Sequence, residues 1–204
     1  MDYENLLKES WTVLRNNLGV YIAATLIVIF GSIFVVTLAP LAYGYSYIAI
    51  KGLRTGKVEI NDVFEGFRSN NFIRSWIVTL IGVVVYFAAA LIHSLLGVLV
   101  TLFLLYAMFL LVMRGCGSIA ALQGSIEVVK RNPIESIILF AMIYIINIVG
   151  MLALIVGLLI AVPLGEILTA RVLFGLIGEE YEDISMEAAE LIEMEESGAQ
   201  LALE

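Results

Sequence analysis

Cysteine and histidine are nearly missing from this 204-residue chain, and each scarcity closes off a class of chemistry. The single cysteine, Cys116, excludes a disulfide within the chain and a cysteine-based zinc site. The single histidine, His93, excludes a histidine-rich metal site and a histidine proton relay. No G-x-S-x-G, Walker loop, G-x-G-x-x-G or H-E-x-x-H is present. Charge is scarce too: Asp, Glu, Lys and Arg make up 15% of residues. They are bunched, which leaves residues 16–50, 75–113 and 136–165 without a single one. A basic segment is missing from the start, Met1-Asp2-Tyr3-Glu4, so a cleavable signal peptide is not expected.

What fills the chain is hydrocarbon. Hydrophobic residues make up 61%, against 45–50% for an ordinary soluble domain, and the mean hydropathy is +1.01. Each charge-free stretch exceeds the roughly 20 residues that cross a bilayer core. Periodicity does not separate a buried soluble helix from a membrane span, but uninterrupted length does. The composition therefore predicts a multi-span, all-α membrane protein.

The formal charge of −8 misdescribes that membrane body. Ten of the 19 acidic residues lie from Glu179 onward, which leaves residues 1–178 with eleven basic and nine acidic groups. The domains read as a transmembrane body, 1–178, and an acidic cytoplasmic tail, 179–204. The tail suits a basic cytosolic protein partner. No nucleic-acid partner and no cofactor are expected, and the oligomeric state is left open.

Residues 2–17 read as an amphipathic helix, with Tyr3, Leu7, Trp11 and Leu14 at helical spacing. It either lies on the membrane surface or packs on the inner end of the bundle. Residues 18–50 are too long for one span, and Pro40 suggests a hairpin, 18–37 out and 40–54 back. In the following loop, Ile60, Val63, Phe64 and Phe67 make a short amphipathic turn. Residues 75–113 form a second hairpin turning near His93 to Gly97. Residues 118–131 form another amphipathic helix, with Ile119, Leu122, Ile126 and Val129 on one face. Residues 134–177 form a third hairpin turning near Gly150.

Charge selects three hairpins over three single spans. With single spans the basic residues would divide almost evenly between the two sides. With hairpins all eleven fall on one side, as the positive-inside rule requires. The expectation is six spans in the cytoplasmic membrane with both termini cytoplasmic. An internal repeat supports it. Asn17, Asn71 and Asn132 end the lead-in segments, and Gly52, Gly115 and Gly175 close the hairpins.

The lead-in S-I-E-V-V-K-R-N-P (Ser125 to Pro133) carries a resemblance, together with G-L-L-I-A-V-P-L (Gly157 to Leu164) and R-T-G-K-V-E-I-N-D-V-F-E-G-F (Arg54 to Phe67). These segments resemble a group of uncharacterised six-helix membrane proteins of bacteria and archaea. That group is similar to the membrane domain fused to some glycerophosphodiester phosphodiesterases. The resemblance covers about residues 5–178 and rests on Gly, Pro and aromatic patterns. It implies the six-helix layout and no activity, because it includes no catalytic segment.

Few residues are candidates for function, and no catalytic residue is expected. Glu166 is the one acid inside an apolar stretch, which makes it a functional candidate. Its structural alternative is pairing with Arg171. Counting nine residues back from Gly52, Gly115 and Gly175 gives Tyr43, Tyr106 and Glu166, a candidate polar belt at one depth. Lys51, Arg54, Lys57, Lys130 and Arg131 are candidates for anionic lipid headgroups, although such residues more often only fix topology. Cys116 reads as a packed helix-end residue, His93 as a solvated turn residue, and Asn147 as an interhelical hydrogen bond. Two function classes follow. One is a non-catalytic membrane module acting through lipids or a protein partner. The other is a small-solute or lipid transporter or channel with Glu166 in its path.

Overall fold

A computed structural model describes residues 2–178, apart from the side chains of 154–156. The acidic tail lies outside the described residues. Among them every regular element is helical and no strand occurs.

The first helix, α1 (Tyr3–Asn16), is started by Asp2, whose carboxylate accepts the Asn5 N–H at 3.3 Å. It buries Leu6, Ser10 and Leu14, while Trp11 stays exposed. At Asn17 the chain turns by 88° into α2 (Leu18–Gly31). The Asn17 amide fixes this corner by donating to the carbonyls of Val13 at 3.2 Å and Gly56 at 2.9 Å.

Next come α3 (Val35–Thr55) and a 3-10 helix, Ile60–Phe67. The turn between α2 and α3 is residues 32–34, so Pro40 lies inside α3 and not at the bend expected from it. Proline has no N–H to give the carbonyl four residues back. That carbonyl, on Val36, instead accepts the Trp76 indole N–H at 3.1 Å. An outside donor thus satisfies the carbonyl that proline leaves open within the helix.

α3 is the hub, with eleven of its residues buried. It packs against α2, the 3-10 helix and three later helices. The 3-10 helix lies backbone to backbone on it. A Cβ on Gly44 would stand 1.8 Å from the Val63 carbonyl oxygen, and one on Gly66 would stand 2.0 Å from that of Pro40.

The second hairpin is α4 (Ser69–Ile92), His93, and then α5 (Ser94–Phe103) with α6 (Ala107–Arg114). His93 turns the chain as expected, and its Nδ1 accepts the Leu95 N–H at 3.1 Å. The return strut is broken at residues 104–106. Helix α7 (Ser118–Arg131) buries Ser118, Ala121, Leu122, Ser125 and Val129. Ile119, expected on that face, is 62% exposed. The packed stripe is mostly small and polar residues because it must fit a neighbouring backbone.

The last hairpin is α8 (Pro133–Leu152) and α9 (Leu154–Ile177). The chain turns at Ala153, not at Gly150. Gly150 and Gly157 form a close approach instead, since a Cβ on Gly157 would lie 2.2 Å from the Gly150 carbonyl oxygen. The glycines that end helices in the left-handed region are Gly56 and Gly115. Gly52 serves packing, because a Cβ there would lie 2.3 Å from the Tyr21 hydroxyl.

Four segments are long and apolar enough to cross a bilayer: Ser69–Ile92, Ser94–Arg114, Pro133–Leu152 and Gly157–Ile177. A fifth counts if the bent pair α1–α2 is one span. Helix α2, at 14 residues, is about 21 Å long against a core of about 30 Å. Helix α3 carries Tyr43, Tyr45, Ser46, Tyr47 and Lys51 and is less apolar than the four. The pair α2 and α3 is therefore the one in which neither helix by itself is long and apolar enough to cross.

Candidate functional site

Glu166 lies on α9, half-buried, where α9 packs beside α3. Its Oε2 accepts the Ser46 hydroxyl at 3.4 Å, the long end of a hydrogen bond. Its expected structural partner is taken elsewhere. Arg171 bonds through Nε to Glu9 of α1 and so anchors that helix to α9. Among the described residues no cation pairs with Glu166.

The surroundings of Glu166 are hydroxyls. Thr25 on α2 donates to the Tyr21 carbonyl at 2.7 Å, which uses its one proton. Tyr45 on α3 therefore donates in the 2.6 Å contact between its hydroxyl and that of Thr25. Tyr45 directly precedes Ser46, the hydroxyl that reaches Glu166, on α3. Thr25, Tyr45 and Ser46 are all buried, so α2, α3 and α9 meet around an uncharged hydroxyl cluster with one carboxyl. Sequence reading missed Thr25, Tyr45 and Ser46, since single hydroxyls in apolar runs are ordinary.

The structure does not join the expected belt. Tyr106 donates to the Ser136 hydroxyl at 3.3 Å, away toward α8. Tyr43 is buried on α3. No hydrogen bond among the described residues links either tyrosine to Glu166. Equal spacing from a glycine sets distance along a helix but not the direction a side chain takes around it.

A second polar feature sits at the break in the α5–α6 strut. Ser125 of α7 is fully buried there. Its hydroxyl accepts the Tyr106 backbone N–H at 3.1 Å and donates to the Phe103 carbonyl at 2.8 Å. One side chain thus serves two backbone groups that the interrupted helix leaves open.

The basic candidates divide by partner. Lys51 bonds both Asp62 oxygens, at 2.8 and 2.9 Å, and this carboxylate holds its ammonium above the usual lysine range. Arg54 stacks on the Phe174 ring at 5.5 Å, and Arg131 pairs with Glu127. Lys57 and Lys130 are exposed. Asn147 donates to Ile143 of its own helix at 2.8 Å, and among the described residues it makes no interhelical bond. Cys116 is half-buried with its thiol 3.8 Å from the Leu110 carbonyl oxygen. Among the described residues no group of acidic, histidine or cysteine side chains is arranged to hold a metal.

Comparison with protein-family models, curated proteins and solved structures found no match.

Proposed function

We propose that this chain is a non-catalytic integral membrane module that works through lipids or a protein partner in the bilayer. The observation that supports it most is where the apolar surface lies. Only 11% of the most apolar part of α4 and 17% of that of α8 is buried within the protein, against 50% for α9. Leu91 and Leu152 are 87% and 79% exposed. Two long helices thus present apolar flanks outward, the surface that lipids or another membrane protein would cover. In this reading the three hairpins sit in the cytoplasmic membrane, with both termini and the basic residues on the cytoplasmic side. The first hairpin is short, and the architecture is akin to the membrane domain of glycerophosphodiester phosphodiesterases. The exposed Lys57 and Lys130 would meet anionic headgroups, and the acidic tail a cytosolic basic partner.

A second reading, transport of a small solute or lipid, draws on Glu166, an acid without a cation inside a helix long enough to cross a membrane. Native mass spectrometry and liposome flux separate the two. The module reading expects retained lipid or partner masses after gentle extraction, and no solute flux above empty liposomes. Solute flux that disappears in Glu166→Gln would replace it with the transporter.

A further inference from the structure

Between α4 and the α5–α6 strut lies a cavity of about 370 Å³. Val78, Gly82 and Tyr86 line one side, Val100, Leu104 and Met108 the other, and no charged residue faces in. Such a volume falls within the range of small-ligand pockets. From Val78 to Tyr86 the groove runs about 12 Å along α4. Gly82 keeps it open: a Cβ there would already lie 3.3 Å from a Leu104 methyl.

The same stripe of α4 ends on a charge. Arg74, Val78, Gly82 and Tyr86 are successive i, i+4 positions and share one face. Arg74 donates from Nη1 to the Gly115 carbonyl at 2.8 Å, which brings it beside the end of α6, where Arg114 is the last residue. Among the described residues neither arginine forms an ion pair. A guanidinium has five donors, so most of Arg74 is still available to an anion. An apolar groove between two membrane-length helices, with Arg74 one turn of α4 beyond Val78 and Arg114 at the end of α6 beside it, matches one kind of molecule: an acyl chain attached to a phosphate.

We propose that this groove holds one chain of an anionic glycerophospholipid whose phosphate lies against Arg74 and Arg114. The assignment rests on the lipid-binding module reading above and supplies it with a specific site. It differs from the exposed lysines in requiring chain and headgroup together.

The test is native mass spectrometry of the full chain, exchanged into micelles with equal amounts of phosphatidylglycerol and phosphatidylcholine of matched chains. Wild type should retain one phospholipid, with phosphatidylglycerol favoured at least about fivefold. Gly82→Leu should lose the adduct of either headgroup, because the side chain fills the groove. Thr79→Phe, on the same wall, makes the same test should the leucine variant fold poorly. Arg114→Gln, at an exposed position, should keep one lipid but bring the headgroup preference close to one. Undiminished phosphatidylglycerol in both the filled-groove and Arg114→Gln proteins would overturn the site and leave the lipid-module reading standing. A wild type that retains no lipid of either kind would overturn both.

Discussion

Replacing Ser125 with alanine removes one oxygen and strands two backbone groups. The hydroxyl accepts from Tyr106 N–H and donates to Phe103 C=O at the break in the α5–α6 strut, at a site with no solvent access. Alanine leaves the buried Tyr106 N–H and the part-buried Phe103 carbonyl without a partner. An unsatisfied buried donor or acceptor costs about 1–3 kcal/mol. The pair should therefore cost about 2–6 kcal/mol, toward the lower end because the carbonyl is only part-buried. Threonine keeps the hydroxyl and should recover part of the loss. The direct assay is hydrogen–deuterium exchange of the detergent-solubilised protein. The Tyr106 amide should exchange at least about tenfold faster in Ser125→Ala, the equivalent of about 1.4 kcal/mol. Denaturant titration of helicity should show the larger global loss. If Tyr106 exchanges as in wild type and stability falls by less than about 0.5 kcal/mol, then α7 does not hold the break together.

Other consequences are simpler to state. Gly44→Ala should cost about 3 kcal/mol or more in the same titration, because its Cβ would meet the Val63 backbone at 1.8 Å and no rotamer relieves that. Gly19→Ala, an exposed helical position with nothing within 4 Å, should be neutral or slightly stabilising, and equal losses at the two sites would refute the packing of the 3-10 helix on α3. Glu166→Gln should change stability by less than about 1 kcal/mol, since an amide oxygen accepts the Ser46 hydroxyl as a carboxylate does. A loss of about 3–5 kcal/mol would reveal a buried ion pair that the geometry does not contain.

The all-helical character and the membrane-length apolar segments were legible because they depend on bulk properties: apolar composition and charge-free length. His93 turned where its neighbours suggested, and Asn17 and Asn132 each end a lead-in helix and donate to the carbonyl four residues back. Details set by a distant partner were not legible. Pro40 reads as a bend until Trp76, thirty-six positions away, supplies a donor to Val36. Nothing in the 75–113 hairpin reading marked the gap in its return limb that Ser125 of α7 satisfies. The same holds for the site. Glu166 stood out as a lone acid, but its partner Ser46 lies 120 positions earlier, and Arg171 turned to Glu9 instead. In an apolar chain the few polar groups choose partners by direction around the helix, and spacing alone does not specify that.

The arrangement of hairpins across the membrane underlies the proposed function, and one measurement addresses it most directly. In a Cys116→Ala background, His93→Cys and Thr55→Cys are expressed separately, and intact cells are treated with a membrane-impermeant maleimide. His93 is exposed in the turn after α4, and Thr55 is the exposed last residue of α3. The account predicts labelling at position 93 from outside, and at position 55 only after the membrane is opened. Labelling of position 55 in intact cells, or of both positions, would contradict it.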